Sequence, residues 1–175
     1  MREKYVNNRI PQPIIKFSES GVMISDLVDK RHGYSEKDYP WARKMLGKFP
    51  IPDWQRDSVW TLAQKVSFVE SCYLGYDIGS IVVNGYLDLD NNTLAKYSDC
   101  LIDGQQRVEA LLDYTNDNFK VFGFFYSELD RREQSRFLYR ELGKRTTDCF
   151  DERKLKTVYN HLNFAGTDHL ESERA

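Results

Sequence analysis

Cysteine and histidine are scarce in this sequence, and their spacing argues against two common ways of stabilising a small domain. The three cysteines, Cys72, Cys100 and Cys149, lie far apart and are odd in number. This pattern is not that of a disulfide framework and indicates buried thiols in a reducing compartment. No two cysteines have the spacing of zinc ligands, and there are only 3 histidines, so we expect no structural metal site.

Long apolar runs are also missing. No run approaches the roughly 18 residues that predict a membrane-spanning helix. The N-terminal residues Met-Arg-Glu-Lys-Tyr lack the apolar stretch of a signal peptide. We therefore expect a cytoplasmic protein with no membrane partner.

The sequence has no excess of positive charge either. Its formal net charge of −2 gives no overall basic signal for nucleic acid, although it is compatible with a local basic patch. Apolar and aromatic residues are plentiful, with 41% hydrophobic residues, 11 Tyr and 10 Phe. Over 175 residues this predicts a single domain at 13–166, between a flexible polar arm at 1–12 and a polar tail at 167–175.

Hydrophobic periodicity predicts a mixture of helices and strands, and thus the α+β class. We expect helices over 35–49, from a cap at Ser58 to Gly75, from Gly104 to Thr115, and over 151–163. We expect strands over 13–17, 78–83, 96–102 and 119–125. Asn84-Gly85 favours a tight hairpin from the second of these strands into residues 86–89. Residues 131–145 fit either a helix or a strand.

One stretch, from Cys100 to Leu112, has the pattern of a strand, a tight turn and a helix. Asp103-Gly104 forms the turn, and Gln105, Gln106 and Arg107 open the helix. Free amides and partial positive charge at a helix N-terminus suit a phosphate group, and a guanidinium adds a bidentate donor. An alternative stays open at this point, in which Asp103 caps the helix and Gly104 fits a tight bend.

A second polar helix entrance precedes the helix that ends at Gly75. It contains Gln55 and Arg56, which also suit an anion. The alternative for Arg56 is a surface salt bridge with Asp53 or Asp57.

Basic residues recur between positions 131 and 153. They fit either a strip that faces nucleic-acid phosphates or a solvated face balanced by neighbouring acidic residues, and the balanced face is the more common outcome. The candidates for nucleic-acid binding are Arg136, Arg140, Lys144 and Arg145.

Two motifs together support a family resemblance. Pro52-Asp53-Trp54-Gln55-Arg56 is followed by Leu101-Ile102-Asp103-Gly104-Gln105-Gln106-Arg107, and this order and spacing resembles the N-terminal domain of GmrSD-type modification-dependent restriction enzymes. That domain belongs to the ParB/sulfiredoxin-like superfamily. The resemblance covers roughly residues 45–145. It implies a compact ParB/sulfiredoxin-like α+β fold, with a small mixed sheet flanked by helices and a pocket for a nucleotide triphosphate.

The resemblance also implies roles for individual residues. Asp103 and Arg107 would carry any catalysis, with Asp103 holding Mg²⁺ or water. The phosphate-binding set would be Gln55, Arg56, Gly104, Gln105, Gln106 and Arg107. No general base stands out, so these residues support binding of a nucleotide better than its hydrolysis.

The function that the resemblance implies is nucleotide-triphosphate binding, with weak hydrolysis left open, in DNA-linked defence, counter-defence or replication control. A nuclease subunit or a host defence protein would be the partner, in a bacterial or phage-infected cell. We expect no DNA cleavage by these residues alone, because they lack the histidine-based metal site of the family's separate nuclease domain. The alternative is a non-catalytic adaptor, of phage or bacterial origin, that binds DNA or protein.

Overall fold

The structure is a computed structural model that describes residues 10–29, 36–89 and 93–164. Residues 1–9 of the arm predicted at 1–12, and the whole tail predicted at 167–175, lie outside these residues. Single turns of 3₁₀ helix occur at Glu36–Asp38 and Tyr126–Glu128. The strands and helices in chain order are β1 (Ser18–Met23), α1 (Ile24–Val28), β2 (Ala42–Leu46), β3 (Phe49–Pro52), α2 (Leu62–Leu74), β4 (Ser80–Asn84), β5 (Asp88–Leu89), β6 (Thr93–Leu94), β7 (Leu101–Asp103), α3 (Gln105–Thr115), α4 (Arg131–Leu138), β8 (Glu141–Thr147) and α5 (Glu152–Phe164).

Four of the strands form a mixed sheet in the order β1-β8-β4-β7. β4 runs parallel to β8, whereas β1 pairs with β8 and β7 pairs with β4 in the antiparallel sense. A parallel pair needs a long crossover, and α3 and α4 lie within the one that joins β4 to β8. β2 pairs with β3 and β5 with β6 in two small antiparallel sheets. The predicted α+β class, with a small mixed sheet flanked by helices, is confirmed.

The sheet is covered on both faces because its central strands carry apolar side chains on both sides. In β4, Ile81 and Val83 pack into a core formed with α1 to α4, whereas Val82 belongs to a second cluster. In β7, Leu101 and Ile102 divide in the same way. This division follows from the alternation of side chains along a strand. The second cluster is closed by α5 and by two tryptophans, Trp41 and Trp54.

The cysteine prediction is confirmed in its main point. Cys72, Cys100 and Cys149 are all free thiols, the first two buried and the third half-buried. Burial raises the pKa of the Cys72 thiol to about 12, so this thiol is inert at neutral pH. Within the described ranges there is no group of three or more metal-ligating side chains. None of the helices in those ranges is long and apolar enough to cross a membrane.

Several predicted elements are confirmed with small shifts at their ends. α3 and α5 lie where periodicity placed them, and β4 covers most of the predicted strand at 78–83. Gly75 ends α2 in the left-handed conformation, with φ 82°. The predicted cap at Ser58 is wrong, because Thr61 caps α2 and forms a reciprocal capping box with Gln64. The ambiguous segment 131–145 contains both a helix, α4, and the start of a strand, β8.

The predicted helix at 35–49 is wrong. Its place is taken by the 3₁₀ turn and the β2–β3 hairpin, which reverses at Gly47 with φ 58°. The apolar residues of this segment do not share one face, because Trp41 packs into the second cluster whereas Leu46 and Phe49 pack into the first. The apolar residues of this segment therefore have helical spacing although they are buried in two separate clusters.

The predicted hairpin at Asn84-Gly85 is also wrong. Asn84 is buried, and its side chain donates from Nδ2 to Tyr97 O and accepts from Cys149 N. Because Asn84 is held by these long-range bonds, it ends β4 without a turn. Residues 88–89 pair with β6 instead of with β4.

Three predicted strands are displaced or absent. In place of the strand expected at 13–17, the structure has β1, which begins at Ser18. β1 is an exposed edge strand, so the hydrophobicity of its residues does not predict it. Of the strand expected at 96–102, only Leu101–Asp103 is extended, because Tyr97 and Asp99 have left-handed φ values of 71° and 56°. The segment 119–125 is a turn closed by one bridge between Val121 and Phe124.

Candidate functional site

The candidate site is built on the N-terminus of α3. Its N-cap is Gly104, with φ 96° and ψ 12°, and no side chain in the described part of the chain caps the helix. The first turn also lacks an acidic residue. The first amides of the helix therefore keep their donors and their partial positive charge for an external acceptor. The alternative that Asp103 caps this helix is wrong.

Gly104 is required by the local geometry. A Cβ at this position would lie 2.6 Å from Ile81 Cγ2, and the positive φ is itself unfavourable for other residues. The predicted tight bend at Gly104 is therefore confirmed. It places the end of β7 and the start of α3 directly against β4.

Arg107 lies in the first turn of α3, beside the end of β7. Its Nη1 lies 3.7 Å from Asp103 Oδ2 and donates to Ser80 O at 3.3 Å. The guanidinium also packs on Gly79, where a Cβ would lie 3.2 Å from Nε and Nη2. One guanidinium nitrogen thus positions the side chain, and the other two leave further N–H donors for a ligand.

Gln105 contributes a buried donor. Its side chain is 8% exposed, and its Nε2 has no hydrogen-bond partner among the described residues. A buried donor without a partner costs about 1–3 kcal/mol. Gln105 lines the adjoining cleft, and an acceptor supplied by a ligand there would remove that cost once the amide turned towards it.

Gln106 organises the facing loop. Its Oε1 accepts from Ser58 Oγ at 2.8 Å, from Val59 N at 3.0 Å and from Trp60 N at 2.8 Å. A single amide oxygen therefore gathers three donors of the segment that leads into α2. This role is architectural and was not apparent from the sequence.

The second polar helix entrance lies across from α3. Gln55 is 4% exposed, and its Nε2 donates to Leu101 O at 2.5 Å, so its amide nitrogen holds the loop to β7. The backbone N–H of Arg56 donates to the Tyr159 hydroxyl at 3.1 Å, and the Arg56 side chain is exposed. Asp57, one of the two salt-bridge partners considered for Arg56, forms an ion pair with Arg43 at 3.0 Å.

A cleft of about 170 Å³ lies between these two elements. The structure brings to it every residue of the predicted phosphate-binding set, together with Asp103. Five further lining residues are outside the predicted set, namely Asp57, Trp60, Ile102, Tyr159 and Asn163. Periodicity placed Tyr159 on the inward side of its helix, but no local signal indicates that α5 closes this cleft.

Comparison with known families decides the assignment. A family model described as the GmrSD restriction endonuclease N-terminal domain matches residues 28–173. The chain belongs to this GmrSD N-terminal domain family. The match extends beyond the 45–145 region of the motif resemblance on both sides, and it links the chain to restriction of DNA. No curated protein and no solved structure matches the chain.

Two of the four basic candidates for nucleic-acid binding in this GmrSD N-terminal domain contact neighbouring aromatic residues. The Arg136 guanidinium lies over the Tyr73 ring at 5.6 Å. Arg140 donates from Nη2 to Tyr76 O at 2.6 Å. These contacts place both guanidinium groups beside the end of α2 and the loop that follows it.

The other two, Lys144 and Arg145, are neighbours on β8 and project from opposite faces of the sheet. Arg145 lies opposite Glu19, with Nε 3.5 Å from Oε1, and its guanidinium lies over the Phe17 ring at 4.6 Å. Lys144 lines a different cavity. The four cations therefore do not share one surface, and DNA binding by this strip stays a prediction.

Proposed function

We propose that the cleft binds the phosphate groups of a nucleotide triphosphate, and that the domain uses this binding in restriction-linked defence with a nuclease as its partner. The observation that carries the proposal is the buried Gln105 Nε2, which has no partner among residues 10–29, 36–89 and 93–164, beside a helix N-terminus that none of these residues caps. A group with several acceptor oxygens could bind both the amide nitrogen of Gln105 and the free amides of the helix N-terminus. A phosphate group supplies such an acceptor and complements the helix dipole.

The proposal gives each side chain a distinct task. The first amides of α3, Gln105 Nε2 and the Arg107 guanidinium donate to phosphate oxygens. Gln106 and Gln55 hold the facing loop, and Arg56 adds positive charge at the open side. At about 170 Å³ the cleft is smaller than the roughly 300–1,000 Å³ of whole-ligand pockets, so the ribose and base would lie towards solvent.

Mg²⁺ fits this arrangement as a companion of the nucleotide. Asp103, at the end of β7, lines the cleft together with Asp57, and it can supply a single oxygen ligand. Mg²⁺ commonly keeps several waters and is bound by one or two carboxylates together with substrate phosphates. The same carboxylate is the candidate for orienting a water molecule, and a single carboxylate of this kind supports slow hydrolysis at most.

The test is calorimetric titration of the full chain with ATP, GTP, CTP and UTP, with and without Mg²⁺. Gln105→Glu places an acceptor and a negative charge where the donor lies, and Arg107→Met removes the guanidinium. Each charge-assisted hydrogen bond contributes about 1.5–3 kcal/mol, so each variant should bind about 10- to 100-fold more weakly. Arg132→Met, at an exposed position of α4, is the matched control and should bind like the wild type.

Two outcomes would contradict the proposal. One is the absence of saturable binding of every triphosphate by the folded wild type. The other is equal affinity in the wild type, Gln105→Glu and Arg107→Met, with near-ultraviolet circular dichroism showing that both variants are folded.

A further inference from the structure

A second cavity, of about 420 Å³, lies at the other end of β4. β4 begins at Ser80, beside Arg107, and ends at Asn84, which lines this cavity. With a rise of about 3.3 Å per residue, the two ends of the strand are about 13 Å apart. The second cavity is therefore separate from the cleft at α3. Its walls are the β2–β3 turn, the ends of the parallel strands β4 and β8, and the segment before β7.

Two lysines face this cavity. Lys48, from the β2–β3 turn, and Lys144, from β8, both line it and are both half-buried. Neither forms an ion pair within the part of the chain that the structure describes. The Lys48 ammonium instead lies over the Phe49 ring at 5.5 Å.

The two ammonium groups disfavour each other. Burial is the main reason that the pKa of Lys48 is lowered. The charge of Asp26 opposes this, the charge of Lys144 adds to the lowering, and Asp29 and Asp99 oppose it. Two like charges at one partly buried cavity repel each other, and Asp99, which lines the same cavity, offsets part of this repulsion. A bound anion with two negative charges would remove this repulsion.

The cavity also offers acceptors. Asp99 and Asp148 line it, and Asp99 Oδ2 accepts from the buried Tyr39 hydroxyl at 2.7 Å. Asp99 is held in the left-handed region, with φ 56°, which is a strained conformation for a residue other than glycine. Ionised carboxylates only accept hydrogen bonds, so these two side chains suit hydroxyl or amino groups of a ligand.

We propose that this second cavity binds a small phosphate monoester that carries hydroxyl or amino groups, such as a sugar phosphate or a nucleoside monophosphate. The phosphate would lie between Lys48 and Lys144, and the donors of the ligand would face Asp99 and Asp148. Phe49 supplies an apolar wall. A volume of about 420 Å³ falls within the roughly 300–1,000 Å³ of small-molecule sites. This proposal is independent of the nucleotide-triphosphate proposal.

The experiment is calorimetric titration of the full chain with ribose 5-phosphate, adenosine 5′-monophosphate, inorganic phosphate, adenosine and a single-stranded oligonucleotide. Saturable binding of at least one phosphate monoester, at least about tenfold tighter than inorganic phosphate or adenosine, is the expected result. Lys48→Met and Lys144→Met should each weaken this binding at least about tenfold. Lys144→Arg, which keeps the charge, should restore most of it. Lys154→Met, at an exposed position of α5, and Arg107→Met, in the other cleft, should leave it unchanged.

Several results would overturn the proposal. They are the absence of monoester binding by the wild type, monoester binding no tighter than that of inorganic phosphate, and binding of the oligonucleotide alone. Unchanged affinity in both methionine variants would also overturn it, as would loss of binding in Arg107→Met, which would assign the ligand to the cleft at α3. If a lysine variant fails to fold, the titration of the wild type alone can still contradict the proposal.

Discussion

At the scale of single residues, Gly104 and Gln105 shape the cleft in different ways. Gly104 has a backbone conformation and a contact with Ile81 that a side chain would disturb. Gln105 follows it with a buried amide nitrogen that has no partner among the described residues. Gly104 permits the tight bend, and the amide nitrogen of Gln105 favours a hydrogen-bond acceptor beside it. The dipeptide therefore combines a steric requirement with an energetic cost that a ligand can offset.

Gly104→Ala should lower the free energy of unfolding by about 2–4 kcal/mol. About 1–2 kcal/mol of this comes from a side chain in the left-handed region, and the rest from contact with Ile81 in a packed environment. Urea-induced unfolding monitored by tryptophan fluorescence measures the change.

The matched control for this prediction is Gly123→Ala. Gly123 also has a left-handed φ, of 86°, but a Cβ there would meet nothing within 4 Å. Gly123→Ala should therefore show only the backbone contribution of about 1–2 kcal/mol. Equal destabilisation by the two substitutions would show that the contact with Ile81 has no effect.

At the scale of elements, the start of α2 offers two candidate N-cap residues, and the tertiary structure selects one of them. Ser58 and Thr61 are both N-cap residues by type. Thr61 caps the helix through Gln64, whereas the Ser58 hydroxyl donates to Gln106 Oε1 at 2.8 Å. Because Gln106 draws residues 58–60 towards α3, the helix begins three residues later than the first candidate cap.

Thr61→Ala should destabilise the protein by about 1 kcal/mol, the usual effect of losing an N-cap side chain. Ser67→Ala is the matched control, because Ser67 is an exposed position in the interior of α2. There alanine has the higher helix propensity, so stability should be unchanged or slightly raised. Chemical denaturation of the two variants in parallel measures the difference, and an equal response would argue against the capping box.

The elements that periodicity predicted correctly are those whose signals are local. α3 follows Gly104, α2 ends at Gly75, and α5 buries Leu155 and Tyr159, which are four residues apart. The sequence predicts a helix at the β2–β3 hairpin because Trp41, Met45 and Phe49 recur at four-residue steps, but Trp41 and Phe49 pack into different cores. Which core receives a side chain depends on the position of the whole sheet, and no short window of sequence contains that information.

At the scale of the whole molecule, α5 closes the second face of the sheet. Tyr159 packs against Trp54 with ring centroids 5.4 Å apart, and its hydroxyl accepts from the backbone of the loop that lines the cleft. Glu152, in the first turn of α5, binds Lys96 at 3.3 Å and Lys156 at 2.7 Å. α5 is thus fixed by an aromatic contact near its middle and by an ionic contact at its start.

Glu152 should make stability depend on pH in the acid range. Its hydrogen bond with Lys156, followed by those with Tyr97 and Lys96, lowers the pKa of this carboxyl from 4.5 to about 2. Since the folded-state pKa is the lower one, the contribution is fully present above pH 4.5 and is lost as pH falls towards 2. The group is exposed, so the effect is small and decreases with added salt.

The measurement compares the unfolding midpoints of the wild type and Glu152→Gln between about pH 2 and pH 6. The wild type should be the more stable at the upper end, and the two proteins should converge at the lower end. Glu36→Gln, at an exposed position in the 3₁₀ turn before β2, is the control and should show no such convergence. A constant difference between wild type and Glu152→Gln across the range would contradict the assignment.

The sequence by itself determined the strand–turn–helix at Leu101–Thr115, the α+β class and the family, because turn chemistry, periodicity and short motifs are local properties. Tertiary structure alone decided that Gln106 gathers the loop before α2, that Tyr159 closes the cleft, and that two lysines share a second cavity. These arrangements join distant residues, such as Gln55 with Leu101, 46 positions apart, and Arg56 with Tyr159, 103 apart. Such contacts follow from how the two cores divide the apolar residues between the faces of one sheet.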